Sequence, residues 1–339
     1  MNYPYCPKDF ELAKRYAQAV FSMNDLYQET MTPSQDPIAN EVFCPTPLVE
    51  IPYQRVETWP QIRQLLLEVY QGYTGIDNEI RKCYICEQIL SVITLGEMVF
   101  EKKQLPYLQL VSSLLRIDPT PYTKAEMDGD KKRLAQLLSD KNYRGTLQEQ
   151  VTAWRQDHLV PRQELQQVID TLIAQTLTAI ADMQVKGAVV GNAGFQGYCD
   201  FDNRTIYING DLPFTYEDLK SLICHETFPG HMAHMMTRQQ LLEQGKIPVD
   251  AAMVVVDTAS SPIFEGIADN GVRFIGMEGS VDDEINAIYQ GLKAKAGLTG
   301  AYLLHGEGKS QEEVAQYIKE AIFADDVWIQ SRLRLMTFP

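Results

Sequence analysis

The chain has 339 residues, of which 45% are hydrophobic and 22% charged, with a formal net charge of −15 at pH 7. This length exceeds a typical single core, and the acidic balance argues against nucleic acids and anionic membranes, which are bound by clustered Lys and Arg. The first six residues form neither a basic nor an apolar targeting segment and no apolar run of about 18 residues follows, so we expect a cytoplasmic protein without a membrane span.

The first half of the chain has helical periodicity. Apolar residues recur at helical spacing over residues 10–31, 62–73, 77–100 and 161–183, and a capping-box pattern precedes residues 123–138. The Pro- and Thr-containing stretch 32–52 has no sustained period and is predicted to be loop. Residues 1–184 are therefore predicted to form an N-terminal helical region, which makes one bilobal unit with residues 185–339.

From residue 185 the pattern becomes β-like. Short segments at 188–190, 195–201 and 204–209 are separated by turn residues, with Asp202 and Asn203 between the last two. A hairpin is therefore predicted directly before the next helix. Its edge strand could bind an extended peptide through main-chain hydrogen bonds, or the hairpin could be purely structural, and periodicity does not separate these two interpretations.

The next helix has a carboxylate where its pattern calls for an apolar side chain. Thr215 and Asp218 form a capping-box pattern, and Leu219 begins an apolar stripe at i, i+3 and i+4. Glu226 occupies the next position on that stripe, beside His225. Because Glu is rarely buried unless it is paired or bound to metal, this conflict predicts a functional site.

A His-Glu pair on a helix is typical of zinc hydrolases, in which the His binds the metal and the Glu activates water. The second His expected one turn later is replaced here by Pro229, and His231 follows six positions after His225. In an unbroken helix these two histidines point roughly 120° apart. We therefore hypothesise that Pro229 and Gly230 break the helix and bring His231 back toward His225.

Two alternatives accompany this hypothesis. His234 is a rival second ligand, because it lies three positions after His231 and shares its helix face. Alternatively, the histidines lie on a plain surface helix. The metal site is favoured, since three of the five histidines of the chain lie between residues 225 and 234.

A catalytic zinc site needs a third protein ligand, and Glu265 is the candidate. It lies in a predicted helix that starts at Ser261 and Pro262, and Asp269 follows on the same face. A glutamate ligand followed by a carboxylate that orients a histidine is typical of glutamate-type zinc peptidases. In so acidic a chain, both residues could instead be solvated acids.

A peptidase also needs a hydrogen-bond donor for the developing oxyanion. Tyr302 and His305, in the largely apolar stretch 298–305, are the candidates for this role, with Arg332 and Arg334 behind them.

The segment from residue 195 to the end resembles a bacterial family of unknown function that is marked by an HExxPGH motif and related to the gluzincin metallopeptidases. The resemblance rests on His225-Glu226-Thr227-Phe228-Pro229-Gly230-His231 and on Glu265-Gly266. It implies that His225, His231 and Glu265 are zinc ligands and that Glu226 is the general base. The implied fold is mainly α, with a small antiparallel sheet beside the zinc-site helices.

Together these patterns predict a metallopeptidase-like hydrolase with one Zn²⁺ per chain, a peptide substrate, and Asp269 and His234 next to the ligands. The alternative is a protein that holds metal or peptide on a peptidase scaffold without turnover. The sequence does not indicate the oligomeric state.

Overall fold

The computed structural model describes residues 5–30, 45–47, 51–177, 184–324 and 326–337. In these ranges the protein is mainly helical with small sheets, which confirms the predicted α+β class. The helices are α1 (Pro7–Thr30), α2 (Trp59–Thr74), α3 (Glu79–Glu101), α4 (Tyr107–Leu115), α5 (Lys124–Asp140), α6 (Leu147–His158), α7 (Leu165–Leu177), α8 (Tyr216–Glu226), α9 (His231–Glu243), α10 (Ser261–Asp269), α11 (Gly271–Phe274), α12 (Val281–His305), α13 (Gln311–Ile322) and α14 (Asp326–Met336). The strands are β1 (Pro45–Pro47), β2 (Lys186–Val190), β3 (Gly197–Asp200), β4 (Thr205–Asn209) and β5 (Met253–Val255).

The chain forms two compact units. The first unit contains Met1–Pro119 and His234–Glu265, and the second contains Thr120–Ala233 and Gly266–Pro339. The chain passes between them within α9 and again within α10. This division differs from the predicted boundary after residue 184, because a segment from the second half of the chain returns to the first unit.

Buried hydrogen bonds hold residues 234–265 in the first unit. Asp250 is almost fully buried, and its Oδ2 accepts hydrogen bonds from the Tyr73 hydroxyl, at 2.8 Å, and from Arg81. The amide of Gln88 donates to Thr258 Oγ1 at 2.8 Å. Because an unpaired buried polar group costs free energy, these bonds fix the returning segment against the N-terminal helices.

The apolar core of the first unit lies between α1, α2 and α3, with Tyr16, Ile62, Leu66 and Ile89 almost inaccessible to solvent. Within the described part of the chain, α3 is long and apolar enough to cross a membrane by length and composition alone, and 50% of its most apolar window is buried inside the protein.

A short strand lies inside the stretch predicted to be loop. Of residues 32–52, the structure describes 45–47 and 51–52. Strand β1 pairs antiparallel with β5 in the first unit, with Thr46 opposite Val254. The predicted continuation of α7 over residues 178–183 lies outside the described residues.

The second unit combines a helical core with a three-stranded sheet. The core is formed by apolar residues of α5, α6, α12, α13 and α14, and Trp154 of α6 is fully buried in it. The strand order is β2-β4-β3, with β2 parallel to β4 and β3 antiparallel to it. The predicted hairpin is therefore present as β3 and β4, and a parallel strand extends it into a mixed sheet.

Candidate metal centre

Helix α8 carries the first half of the centre. Thr215 caps it as predicted: its amide donates to Asp218 Oδ2 at 3.0 Å, and its Oγ1 accepts from the Asp218 amide at 3.1 Å. Leu219 and Ile223 are fully buried, and Glu226 on the same stripe is only 5% exposed. The carboxylate is thus buried at the position where the sequence pattern predicted the conflict.

The helix ends directly after Glu226, and α9 starts at His231. The amide of Gly230 donates to the Cys224 carbonyl at 3.2 Å, which folds the connecting segment back on the end of α8. A Cβ atom on Gly230 would lie 1.7 Å from the carbonyl oxygen of His225, so this fold requires glycine. The break predicted at Pro229 and Gly230 is therefore present.

The break brings the two motif histidines together. Nε2 of His231 lies 3.0 Å from Nε2 of His225, and the two rings are nearly perpendicular, at 89°. Ligand atoms of His225, Glu226 and His231 all lie within 4.8 Å of one another. Imidazole nitrogen and carboxylate oxygen are the ligand types that zinc accepts in catalytic sites.

Asp269 fixes the orientation of His225. Its Oδ1 lies 2.9 Å from Nδ1 of His225. Since a carboxylate accepts hydrogen bonds and donates none, Nδ1 carries the proton of the neutral ring and Nε2 keeps its lone pair. That lone pair faces His231, which is the arrangement of metal-binding histidines whose other nitrogen donates to a carboxylate.

Strand β3 lies against the buried carboxylate. A Cβ atom built on Gly197 would be 2.9 Å from Oε1 of Glu226 and 3.0 Å from Leu222. Gly197 therefore allows a close approach of the strand that a larger side chain would oppose. Sequence reasoning missed this residue, although strand periodicity places it on one face with Cys199.

Two thiols near the centre are poor candidates for metal ligands. Burial raises the pKa of Cys224 to about 12, and burial together with the Glu226 carboxylate raises the pKa of Cys199 well above its usual range. The thiolate is the form of cysteine that binds metal, and a raised pKa disfavours that form.

Two predicted site residues belong to the first unit. His234 stacks on Phe264, with ring centroids 4.9 Å apart and an interplanar angle of 15°. Glu265 lies at the end of the same unit's segment of α10. Its role as third ligand, and the placement of His234 next to the ligands, stay predictions.

The predicted oxyanion donors lie at the far end of α12. Near the start of this helix, Asp283 forms an ion pair with Lys220, which is five positions before His225. Along the helix, Tyr302 lies about 28 Å and His305 about 33 Å beyond Asp283. Nε2 of His305 donates a hydrogen bond to the Met336 carbonyl at 2.8 Å. The role of Tyr302 and His305 as oxyanion donors stays a prediction.

Comparisons with known proteins give information on the fold alone. No family model matches the chain, and no curated protein matches it. Among solved structures, it is similar to a "putative lipoprotein" from Colwellia psychrerythraea, with a TM-score of 0.50 and 16% sequence identity. The match covers 83% of this chain and 54% of that one, so the chain spans about half the length of this structural relative.

Proposed function

We propose that the protein is a zinc-dependent hydrolase that cleaves peptide bonds at the centre formed by His225, Glu226 and His231. The main support for this proposal is that Nε2 of His225 and Nε2 of His231 lie 3.0 Å apart beside the buried carboxylate of Glu226. This separation is short enough for both nitrogens to bind one cation, and the carboxylate of Glu226 lies beside them.

The donor set fits zinc. His225 and His231 would hold the ion through Nε2, with Asp269 fixing the first of them, and Glu265 is the proposed third ligand. A bound zinc ion supplies Lewis acidity, which polarises a carbonyl group and makes water acidic near neutral pH.

Glu226 is the proposed general base. Its carboxylate lies within 4.8 Å of the ligand nitrogens, so one water molecule can contact both. Glu226 then accepts a proton from the attacking water and delivers it to the leaving amine nitrogen. Burial keeps bulk water from competing for that proton.

Strand β3 is the proposed place for the substrate backbone. Within the described residues it pairs with β4 alone, so its other edge can accept main-chain hydrogen bonds from an extended peptide. Gly197 places the start of this strand at Glu226. A peptide added to that edge would run past the general base.

The test is the variant Glu226→Gln, compared with Glu243→Gln at an exposed position of α9. The proposal predicts about one zinc per chain in both variants and a fall in peptidase activity of about 100-fold or more in Glu226→Gln only. Unchanged turnover would reject Glu226 as base. Peptides that bind the zinc-loaded native protein and stay intact would instead support a non-catalytic scaffold.

A further inference from the structure

The side chain of Arg204 lies in the hairpin turn, next to the start of α9. Arg204 precedes β4 with a backbone φ of 52°, and its guanidinium lies 4.4 Å from the centroid of the Phe201 ring. Its Nη1 is 3.9 Å from Sδ of Met232, a fully buried residue directly after His231. The guanidinium is thus held between the hairpin and the start of α9.

Strand β3 connects this cation with the general base. Gly197 at its start lies against Glu226, and Asp200 at its end pairs with Thr205, the residue after Arg204. Three residues of strand span about 10 Å. The base and the cation therefore lie at opposite ends of one strand of the same unit.

Cys199 lies in β3 between these two charged groups. Its side chain lies on the same strand face as Gly197, because the two alternate with Tyr198. Burial and the charge of Glu226 raise the pKa of this thiol, whereas the charge of Arg204 lowers it. The thiol of Cys199 therefore lies near enough to both Glu226 and Arg204 for their charges to act on it.

A guanidinium in this place matters because the protein carries a net charge of −15, which repels acidic peptides. Arginine binds a carboxylate with two parallel hydrogen bonds, and the contact with the Phe201 ring holds the guanidinium in place. A local cation would therefore select acidic groups against the overall repulsion.

We propose that Arg204 is a specificity residue that binds a carboxylate of the peptide substrate about three residues from the scissile bond. This inference rests on the proposed function. Antiparallel strand pairs outnumber parallel ones. A peptide antiparallel to β3 runs from Arg204 toward Glu226, so the bound carboxylate is an Asp or Glu side chain on the amino side of the scissile bond.

The experiment measures peptide binding to zinc-loaded Glu226→Gln protein by calorimetry. Matched peptides carry Glu or Gln three residues before the cleaved bond, each with a free or amidated C-terminus. The proposal predicts about tenfold or more tighter binding of the Glu peptide. Adding Arg204→Met should abolish this preference, Arg204→Lys should retain part of it, and Arg162→Met, an exposed control, should retain all of it.

The outcomes separate the inference from the proposed function. The peptides with a free C-terminus could instead bind more tightly than the amidated ones, and Arg204→Met could abolish that difference. This result would show that Arg204 binds the terminal carboxylate of a peptide parallel to β3, which also supports the inference. Equal binding of all four peptides, or a preference that survives Arg204→Met, would overturn it while cleavage by the native protein still upholds the proposed function. Zinc-loaded protein that neither binds nor cleaves any peptide would overturn both.

Discussion

Oδ1 of Asp269 lies 2.9 Å from Nδ1 of His225, on the other side of the ring from the Nε2 atom that faces His231. One carboxylate from α10 thus determines which nitrogen of a histidine on α8 offers its lone pair. The two residues are 44 positions apart in sequence, so the tertiary structure brings them together.

Replacing Asp269 should weaken metal binding. Asp269→Ala removes the acceptor at Nδ1, and we expect zinc affinity to fall by about 10- to 100-fold, with Asp269→Asn falling less because its amide oxygen still accepts the hydrogen bond. Competition with a chromogenic chelator measures the affinity. Asp202→Asn, at an exposed turn, is the matched control, and equal affinities in all variants would contradict the orienting role.

Gly230→Ala should disrupt the centre. The new methyl group would lie 1.7 Å from the His225 carbonyl oxygen, so the segment before His231 must move. We expect loss of stoichiometric zinc binding and a lower melting temperature. Gly129→Ala in α5 is the control, because nothing lies within 4 Å of its Cβ position and alanine favours helix. A Gly230→Ala protein that binds zinc normally would show that the tight turn is not needed.

Arg81→Met should destabilise the first unit. The substitution leaves Asp250 and Asp9 buried without their cation, and breaking a buried ion pair in this way costs about 3 to 5 kcal/mol. Chemical denaturation measures the change in free energy of unfolding. Arg15→Met, which removes an exposed ion pair with Glu68, should leave it nearly unchanged. Similar effects of both substitutions would contradict the structural role of the Arg81 network.

Asp282 should make stability depend on acid pH. Burial acts to raise its pKa, but the bonds from Lys141 and Trp154 outweigh burial and hold the pKa below its usual range. A lowered pKa stabilises the folded state above the unfolded value of about 3.9, and this contribution is lost as pH falls through the folded pKa.

Asp282→Asn should therefore be less stable than the native protein by about 1.5 to 3 kcal/mol at pH 7. The difference should shrink as the pH is lowered below about 4. Denaturant titrations over this pH range, followed by tryptophan fluorescence, give the free energies. A difference that stays constant across the range would contradict the lowered pKa.

Local rules predicted much of the second unit. The capping boxes predicted at Thr123 and Thr215 are present, each with its acidic partner three residues later. Those at Thr146 and Ser280 follow the same pattern and were missed. The break before His231 followed from what proline and glycine do to a helix, so the convergence of the two histidines could be predicted.

Relationships between distant residues could not be predicted in the same way. The pairing of Arg81 with Asp250 and of β1 with β5 depends on tertiary packing, which leaves no periodic signal in either segment. The parallel pairing of β2 with β4 likewise joins non-consecutive strands. The resemblance likewise pointed to His225, Glu226 and His231 but not to Arg204, which lies outside the motif.

Anomalous diffraction at the zinc edge, from crystals soaked in zinc, would locate an ion bound by the two histidines. We expect one strong peak per chain, about 2.0 to 2.1 Å from Nε2 of both His225 and His231. A zinc-soaked crystal with no peak between these two nitrogens would contradict it.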